Sequence, residues 1–242
     1  MNRFVTDCGP AGADRFEEAR YSRNMPALTL EECVAVRGKR VCVAGCGGLG
    51  GYIIELLARV GVGTIVTADG DVFDASNLNR QLLSEEALIG RKKAEIAALR
   101  VSGINSGVKT VAVPEFFTRD NGRRLLAGCD IAVDALDSAE SRLILAEACD
   151  EAGIYLVHGA VSGWFAQAAV IAPGSGTMSG LYPPRRGKTP LPSSGNLGFV
   201  AAACASVQAA EAIKLLCGRE TALSGKLLFM DFRNMDFTKI DI

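Results

Sequence analysis

The stretch "VCVAGCGGLGGYIIELLARVG", residues 41–61, most constrains the fold, because an apolar run passes through a glycine cluster into a helical pattern. Gly45, Gly47 and Gly50 match the spacing G-x-G-x-x-G, in which a tight turn points backbone amides at an anion on a helix N-terminus. The stretch therefore predicts a strand–turn–helix unit that binds a phosphate. The pattern alone leaves open whether that phosphate belongs to a dinucleotide or to ATP.

Strand-like and helix-like segments alternate after the first 35 residues, which is typical of a parallel sheet with crossover helices. Segment 164–173 follows another strand without an intervening helix, so the sheet is expected to continue in antiparallel fashion. The predicted fold is α/β, a doubly wound, Rossmann-like, mostly parallel sheet extended by antiparallel C-terminal strands. The predicted strands of the parallel part lie at 40–45, 64–69, 108–114, 130–136 and 154–160.

One domain is predicted over residues 1–242. It comprises an N-terminal arm (1–35), a nucleotide-binding half (36–160) and an antiparallel extension (161–242) that contains a mobile loop (173–197) rich in Pro, Gly and Ser.

Residues 198–218 are apolar on nearly all sides and predict a buried helix capped by Gly218. Gln208, Glu211 and Lys214 recur at a spacing of three, which predicts one solvated face and argues against a membrane span.

The overall charge excludes some classes of partner. The formal net charge is −1 and the pI about 6.0, so no basic surface is expected for nucleic acid or an anionic membrane. The N-terminal residues carry no apolar leader, and several cysteines lie in apolar segments where a free thiol packs as a small hydrophobe. A cytoplasmic protein is expected.

Asp69 ends the second predicted strand, 19 positions after Gly50. A mononucleotide-binding unit places an acid there to accept hydrogen bonds from ribose hydroxyls, although a strand-end Asp can also cap the following turn. ATP and NAD share that ribose, so Asp69 predicts a nucleotide without choosing between them.

Polar and basic residues follow that strand: Asn77, Arg80, Gln81, Lys92 and Lys93. A triphosphate attacked at its α-phosphorus needs fixed cations beside its oxygens and its departing pyrophosphate, whereas hydride transfer needs none. A solvated helix start would also explain Arg91 and Lys92, but not Arg80. The cluster therefore favours ATP.

Asp134 and Asp137 lie at the carboxyl end of the fourth predicted strand, where open α/β sheets bind ligands. A carboxylate there can hold Mg²⁺ against phosphate oxygens. Asp137 could also cap the helix that follows, in competition with Ser138.

These motifs occur in the order in which the ThiF/MoeB/HesA family has them, and the sequence resembles that family over nearly its whole length. The matching stretches include "RYSRN", "VAGCGGLGG", "SNLNRQ", "IGRKKAE", "DALDS", "VSGWFAQ" and "SGKLLFMDF". The resemblance implies a usually dimeric enzyme that uses Mg-ATP to adenylate the C-terminal glycine carboxylate of a small ubiquitin-like protein.

The resemblance also implies roles for individual residues. Catalytic roles would fall to Arg80, Lys93, Asp137 (which would hold magnesium) and Arg23, which would reach across the dimer; Arg20 is the less favoured candidate for that arginine. The nucleotide would be bound by Gly45, Gly47, Gly50, Asp69, Asp71, Asn77 and Gln81.

Two departures from the family limit the expected chemistry. The two C-x-x-C pairs that commonly bind a structural zinc have no counterpart here, so no zinc site is expected. The mobile loop reads "TPLPSSG" where some relatives have a reactive cysteine, and a serine cannot replace a thiolate. Cys204 would be a fallback thiol only if exposed. His158, the one histidine, is expected in the core.

The predicted function is adenylation of a ThiS/MoaD-like sulfur carrier ending in Gly-Gly, in thiamin or related sulfur-transfer biosynthesis. The alternatives are an ATP-dependent dehydratase of a modified tRNA base, an NAD-binding oxidoreductase, and a non-catalytic nucleotide-binding relative.

Overall fold

A computed structural model describes residues 19–183 and 195–242. The strands are β1 (Arg40–Ala44), β2 (Thr64–Ala68), β3 (Lys109–Val113), β4 (Ile131–Asp134), β5 (Tyr155–Ser162), β6 (Phe165–Ile171), β7 (Lys226–Asp231) and β8 (Asp236–Asp241). The helices are α1 (Leu30–Arg37), α2 (Gly50–Val60), α3 (Lys93–Ile104), α4 (Arg119–Leu126), α5 (Ala139–Ala152), α6 (Thr177–Leu181) and α7 (Gly198–Leu216).

The eight strands form one sheet in the order β3-β2-β1-β4-β5-β6-β7-β8. Strands β1 to β5 pair in parallel, while β6, β7 and β8 continue the sheet in antiparallel pairs. The predicted fold class is confirmed. The order reverses between β1 and β4, so the carboxyl ends of these two strands flank the crevice in which open α/β sheets bind ligands.

A hydrophobic core lies on each face of the sheet, because alternate strand residues point to opposite sides. Val41 and Val43 of β1 pack in the core that contains α2, α3 and α7, and Cys42 and Ala44 in the core that contains α4, α5 and α6. Both faces of the parallel strands are thus covered by helices, which explains why their sequences read as continuous apolar runs.

Helix α3 begins later than the predicted segment 90–105. Lys92 forms an isolated antiparallel bridge with Val72, which keeps the chain extended until Lys93.

Helix α7 corrects the prediction of a solvated face. Gln208 is fully buried and Glu211 is 4% exposed. Gln208 Nε2 donates to the carbonyl oxygens of Asp134 (2.8 Å) and Val157 (3.2 Å), and Glu211 accepts from the backbone amide of Leu223. Polar side chains on this helix are therefore buried because they form hydrogen bonds with backbone groups of other segments. Among the described residues α7 alone has the length and composition of a membrane span, and half of that window is buried within the fold.

The segment predicted as a mobile loop, 173–197, is partly regular. It contains α6, whose Met178 is buried in the core beside α5, and residues 195–197 lead directly into α7. The rest of the predicted loop, residues 184–194, lies outside the described residues, as does most of the arm.

Gly159 of β5 allows Gln208 to reach the sheet, since a β-carbon there would lie 2.2 Å from the side chain of Gln208. We expect Gly159→Ala to destabilise the fold by about 1–3 kcal/mol through overpacking, lowering Tm by about 2–4 °C per kcal/mol. Thermal unfolding followed by circular dichroism measures the change.

Gly103→Ala in α3 is the matched control, because among the described residues no atom beyond the adjoining backbone of α3 lies within 4 Å of the added carbon. It is expected to hold or raise Tm, since alanine is favoured over glycine in a helix by about 0.5–1 kcal/mol. A Gly159→Ala protein that melts no lower than wild type would contradict the packing described for Gln208.

Candidate functional site

A cavity of about 210 Å³ lies beside the carboxyl ends of β1, β2 and β4. The fold brings eight of the predicted site residues into its wall: Gly45, Gly47, Asp69, Asp71, Arg80, Gln81, Lys93 and Asp137. Residues far apart in the sequence thus meet at the edge of the sheet where ligands of this architecture bind.

The glycine turn between β1 and α2 forms one wall. Gly45 has φ +97°, and a β-carbon on Gly50 would lie 1.9 Å from the carbonyl oxygen of Gly45. Gly50 does not line the cavity itself; it permits the close approach that closes the turn. Gly47, Gly48 and Leu49 then face the cavity at the start of α2, where the first amides of a helix lack intrahelical acceptors. This wall can bind an anion.

Asp69 fixes the loop after β2 against the glycine turn. Its Oδ2 accepts from the amide of Cys46 and its Oδ1 from the amide of Asp71, each at 2.8 Å. Each carboxylate oxygen has more than one lone pair and can still accept a ligand hydroxyl. The predicted turn cap and the predicted ribose acceptor are therefore compatible.

The two lysines at the start of α3 have different surroundings. Lys93 is 6% exposed, lines the cavity and pairs with Asp71 at an Nζ–Oδ2 distance of 3.1 Å. Lys92 donates to the carbonyl oxygen of Gly70 at 2.8 Å and is not in the cavity wall. Of the two lysines, Lys93 is therefore the one placed to contact a ligand in the cavity.

Arg80 lines the cavity from the segment between β2 and α3. Its Nη1 donates to the carbonyl oxygen of Ser76 (2.8 Å) and to Asn79 Oδ1 (3.0 Å). Asn79 in turn donates to the carbonyl oxygen of Asn196, which joins this wall to the segment that precedes α7. Gln81 is 7% exposed and its Oε1 has no hydrogen-bond partner within the described part of the chain, so it can serve as a buried acceptor at the cavity.

Two carboxylates with different surroundings lie at the end of β4 and in the segment after it. Asp134 is fully buried and does not line the cavity, whereas Asp137 is exposed and does. The cap of α5 is Ser138, whose Oγ accepts from the amide of Ser141. Asp137 is therefore not the cap of this helix, and no hydrogen bond joins its carboxylate to the described residues.

Besides Gly50, two further predicted residues lie outside the cavity wall. Asn77 is buried, and its side chain caps the 3₁₀ turn Ala75–Asn77 by accepting from the amide of Asp74. Arg23 is exposed on the 3₁₀ turn Ala19–Asn24, while Arg20 hydrogen-bonds to Asn105. Within the single chain, neither Asn77 nor Arg23 contacts the cavity.

The thiols near the cavity are buried. Cys46 and Cys204 are fully buried; desolvation raises the pKa of the Cys46 thiol well above its usual range and that of Cys204 to about 12. Cys204 does not meet the condition of exposure for a fallback thiol.

The sequence reasoning missed several residues of the wall, of which Arg142 and Phe116 are the most informative. Phe116 follows β3, so its place at a strand end could have indicated it. Arg142 lies on the first turns of α5, five positions after Asp137. Its nearness to the start of that helix is the one sequence feature that could have indicated it.

The cavity wall has equal numbers of basic and acidic side chains. The three cations are Arg80, Lys93 and Arg142, and the three carboxylates are Asp69, Asp71 and Asp137. Residues 19–183 and 195–242 contain no group of three or more His, Cys, Asp or Glu side chains that is arranged to hold a metal ion.

Comparison with known proteins identifies the family. The model of the ThiF family matches residues 21–242, so the chain belongs to this family and the resemblance is confirmed. The SAMP-activating enzyme E1 of Haloferax volcanii is 38% identical over 226 residues, which are 91% of this chain and 84% of that protein.

The adenylyltransferase and sulfurtransferase MOCS3 of Bos taurus is 34% identical over 94% of this chain, which spans only 51% of that relative's length. The predicted enzyme class agrees with these names. The crystal structure of E. coli MccB with ATP has the same fold, with a TM-score of 0.72 at 19% identity over 93% of this chain and 71% of that one.

Lys93 and Lys92 provide a test of the cavity. We expect Lys93→Met to weaken ATP binding about 10- to 100-fold, because it removes a charge-assisted hydrogen bond from the cavity wall. Lys92→Met, which removes the same charge one residue away, is expected to change the Kd less than about threefold. Isothermal titration of both variants with Mg-ATP measures the difference, and equal losses would contradict the assignment of Lys93.

Proposed function

We propose that the protein is an ATP-dependent adenylyltransferase that activates the C-terminal glycine carboxylate of a small ubiquitin-like sulfur carrier ending in Gly-Gly and releases pyrophosphate. The observation that carries this proposal is the convergence of Arg80, Lys93 and Asp137 on one cavity with the glycine turn, in a chain of the ThiF family.

ATP would bind with its phosphates along Gly47 to Leu49 and its ribose at Asp69. The start of α2 offers amides and a positive dipole to the phosphates. The unpartnered Oε1 of Gln81 offers a buried acceptor for a donor group of the nucleotide. MccB has been solved with ATP, which supports a nucleotide in this fold.

The carboxylate of Asp137 fits Mg²⁺, which commonly takes one or two protein carboxylates together with phosphate oxygens and water. Bound there, the ion would neutralise charge on the phosphates. This requirement differs from that of zinc, which needs several protein ligands in a tetrahedral set.

Arg80 and Lys93 would supply the main electrostatic stabilisation of the reaction. Negative charge grows on the pyrophosphate as its bond to the α-phosphorus breaks, and cations fixed in advance stabilise that charge. Lys93 is held by Asp71 and Arg80 by Ser76 and Asn79, so both are oriented before the nucleotide binds. No general base is required, because a C-terminal carboxylate is ionised at neutral pH.

The reaction would end at the acyl-adenylate. Cys46 and Cys204 are buried thiols with raised pKa values and cannot act as nucleophiles at neutral pH. Delivery of sulfur would fall to another protein. The "TPLPSSG" segment, which replaces the reactive cysteine of some relatives, lies outside the described residues.

The names of the relatives support the class of carrier. One is named a SAMP-activating enzyme, and another, from Thermus thermophilus, a sulfur carrier protein adenylyltransferase at 32% identity over 92% of this chain. These names support a sulfur carrier as substrate. Within that class we favour thiamin or a related sulfur-transfer route, in a cytoplasmic homodimer.

Magnesium-dependent ATP–pyrophosphate exchange tests the activity. The purified protein is assayed with each small Gly-Gly-terminated protein encoded in the same genome. We expect exchange with one carrier and its loss when the final glycine is deleted. Absence of exchange with every carrier, despite binding of Mg-ATP, would reject the carrier proposal and favour a tRNA-type substrate or a non-catalytic role.

Arg80→Ala and Asp137→Ala are each expected to lower exchange about 10²-fold, as for removal of one transition-state stabiliser. Arg91→Ala is the control, because Arg91 is exposed and is not in the cavity wall. Near-normal exchange in Asp137→Ala would remove this residue from the magnesium role.

Arg23 is proposed to act in the cavity of the partner subunit of the homodimer. If so, mixing Arg23→Ala with Asp137→Ala protomers should recover about one quarter of wild-type exchange, because random pairing gives half of the dimers one intact site. No recovery after subunit exchange, verified by native mass spectrometry, would place Arg23 outside the partner's site.

A further inference from the structure

Five polar side chains form a connected group behind the cavity, here called the buried polar group: Asp134, Arg142, His158, Gln167 and Tyr182. Asp134 and His158 are fully buried, and Arg142 is 9% exposed. Of the five, only Arg142 also lines the cavity. The proposed reaction uses none of them directly.

The group controls the backbone next to Asp137. Asp134 Oδ1 accepts from the amide of Leu136 at 2.9 Å, and Arg142 Nη2 donates to the carbonyl oxygen of Leu136 at 2.7 Å. Both backbone polar groups of Leu136 are therefore held by charged side chains. Because Asp137 is the next residue, these two bonds fix where its carboxylate enters the cavity.

Arg142 is itself held from the opposite side. Its Nε lies 3.6 Å from Asp134 Oδ2, its Nη1 donates to the Tyr182 hydroxyl at 3.1 Å, and its guanidinium lies 5.3 Å from the centre of the Tyr182 ring. Gln167 Nε2 also donates to that hydroxyl, at 3.0 Å. Tyr182 follows α6, and Gln167 lies on β6. Both elements therefore contribute to the position of Arg142, which binds the loop after β4 at Leu136.

Both ring nitrogens of His158 have polar contacts. The Tyr182 oxygen accepts from Arg142 and Gln167, so its own proton is free to point at His158 Nε2, 3.2 Å away. His158 Nδ1 lies 2.7 Å from Asp134 Oδ2 and donates to it. Gln167 Nε2 also lies 3.2 Å from His158 Nε2. With donors at Nε2 and a carboxylate at Nδ1, we assign to His158 the tautomer that has its proton on Nδ1 and none on Nε2. Burial raises the pKa of Tyr182, so its hydroxyl stays protonated at neutral pH.

We propose that Arg142 and Tyr182 are positioning residues: Arg142 holds Leu136 so that Asp137 faces the nucleotide, and Tyr182 holds Arg142. The inference rests on the proposed function for the identity of the ligand, Mg-ATP. Neither residue is proposed to touch the reacting atoms; their effect reaches the nucleotide through Asp137.

ATP binding in Mg²⁺ and in EDTA tests the inference without any carrier. The wild type should bind ATP more tightly with Mg²⁺, and Asp137→Ala should abolish that preference. Tyr182→Phe removes one buried hydrogen bond from Arg142 and should lower the magnesium preference up to about tenfold while leaving binding in EDTA unchanged. In the Asp137→Ala background Tyr182→Phe should add no further loss, because both changes act through the same carboxylate.

Tyr155→Phe is the matched control, since Tyr155 is 39% exposed and lies outside the buried polar group. Arg142→Lys is a second variant that keeps the charge but cannot bind Leu136 and Tyr182 together, so it should also lower the magnesium preference. Because Arg142 lines the cavity, only Tyr182→Phe is expected to leave binding in EDTA unchanged. Equal weakening of ATP binding by Tyr182→Phe with and without Mg²⁺, additive effects with Asp137→Ala, or no magnesium preference in the wild type would each overturn the inference.

The single histidine gives an independent signature. Nitrogen-15 NMR of the wild type should show one ring resonance pair, with Nδ1 protonated and Nε2 bare, and Tyr182→Phe should shift the Nε2 resonance while Tyr155→Phe leaves it in place. A protonated Nε2 in the wild type would overturn the assigned arrangement. If no carrier supports exchange but the magnesium preference depends on Tyr182, the proposed function fails and the positioning inference stands.

Discussion

The close approach of Gly50 to the carbonyl oxygen of Gly45 is the contact on which the rest of the site depends. A β-carbon at Gly50 would lie 1.9 Å from that oxygen, and Gly45 has a positive φ that favours glycine. The turn can close only because both residues lack side chains. Closure places the first amides of α2 at the cavity and brings Cys46 within reach of Asp69. The loop after β2, with Lys93 at its end, is thereby attached to the turn.

The fold could be predicted because its signals are local. Apolar runs, glycine turns and helix caps recur in the order of an α/β sheet, and the missing helix before β6 indicated the antiparallel extension. Candidate residues within three positions of a strand end, such as Asp69 and Asp137, could be placed in the cavity for the same reason: strand ends of a parallel sheet converge at one edge.

Residues whose position depends on tertiary contacts could not be predicted in this way. The spacing of Gln208 and Glu211 fits a solvated face, yet both find backbone partners inside the protein. Asn77 lies in a polar segment beside Arg80, but its side chain is used for a local cap. Arg142 has no strand end or motif to mark it, and only the folded chain brings it to Leu136 and Tyr182. Sequence spacing gives no information on such long-range partners.

The balance of charge in the cavity wall explains how its cations can be fixed before a ligand arrives. A buried ammonium without a partner would be strongly destabilised by desolvation, and the ion pair with Asp71 offsets part of that penalty for Lys93. The same carboxylate then competes with a phosphate for the ammonium. Asp137 has no cation of its own among the described residues, so it would repel a triphosphate unless a divalent ion lay between them. Under the proposed function, a wall built in this way would favour the magnesium complex of ATP over free ATP, and that preference would depend on how firmly the chain holds Asp137 in place.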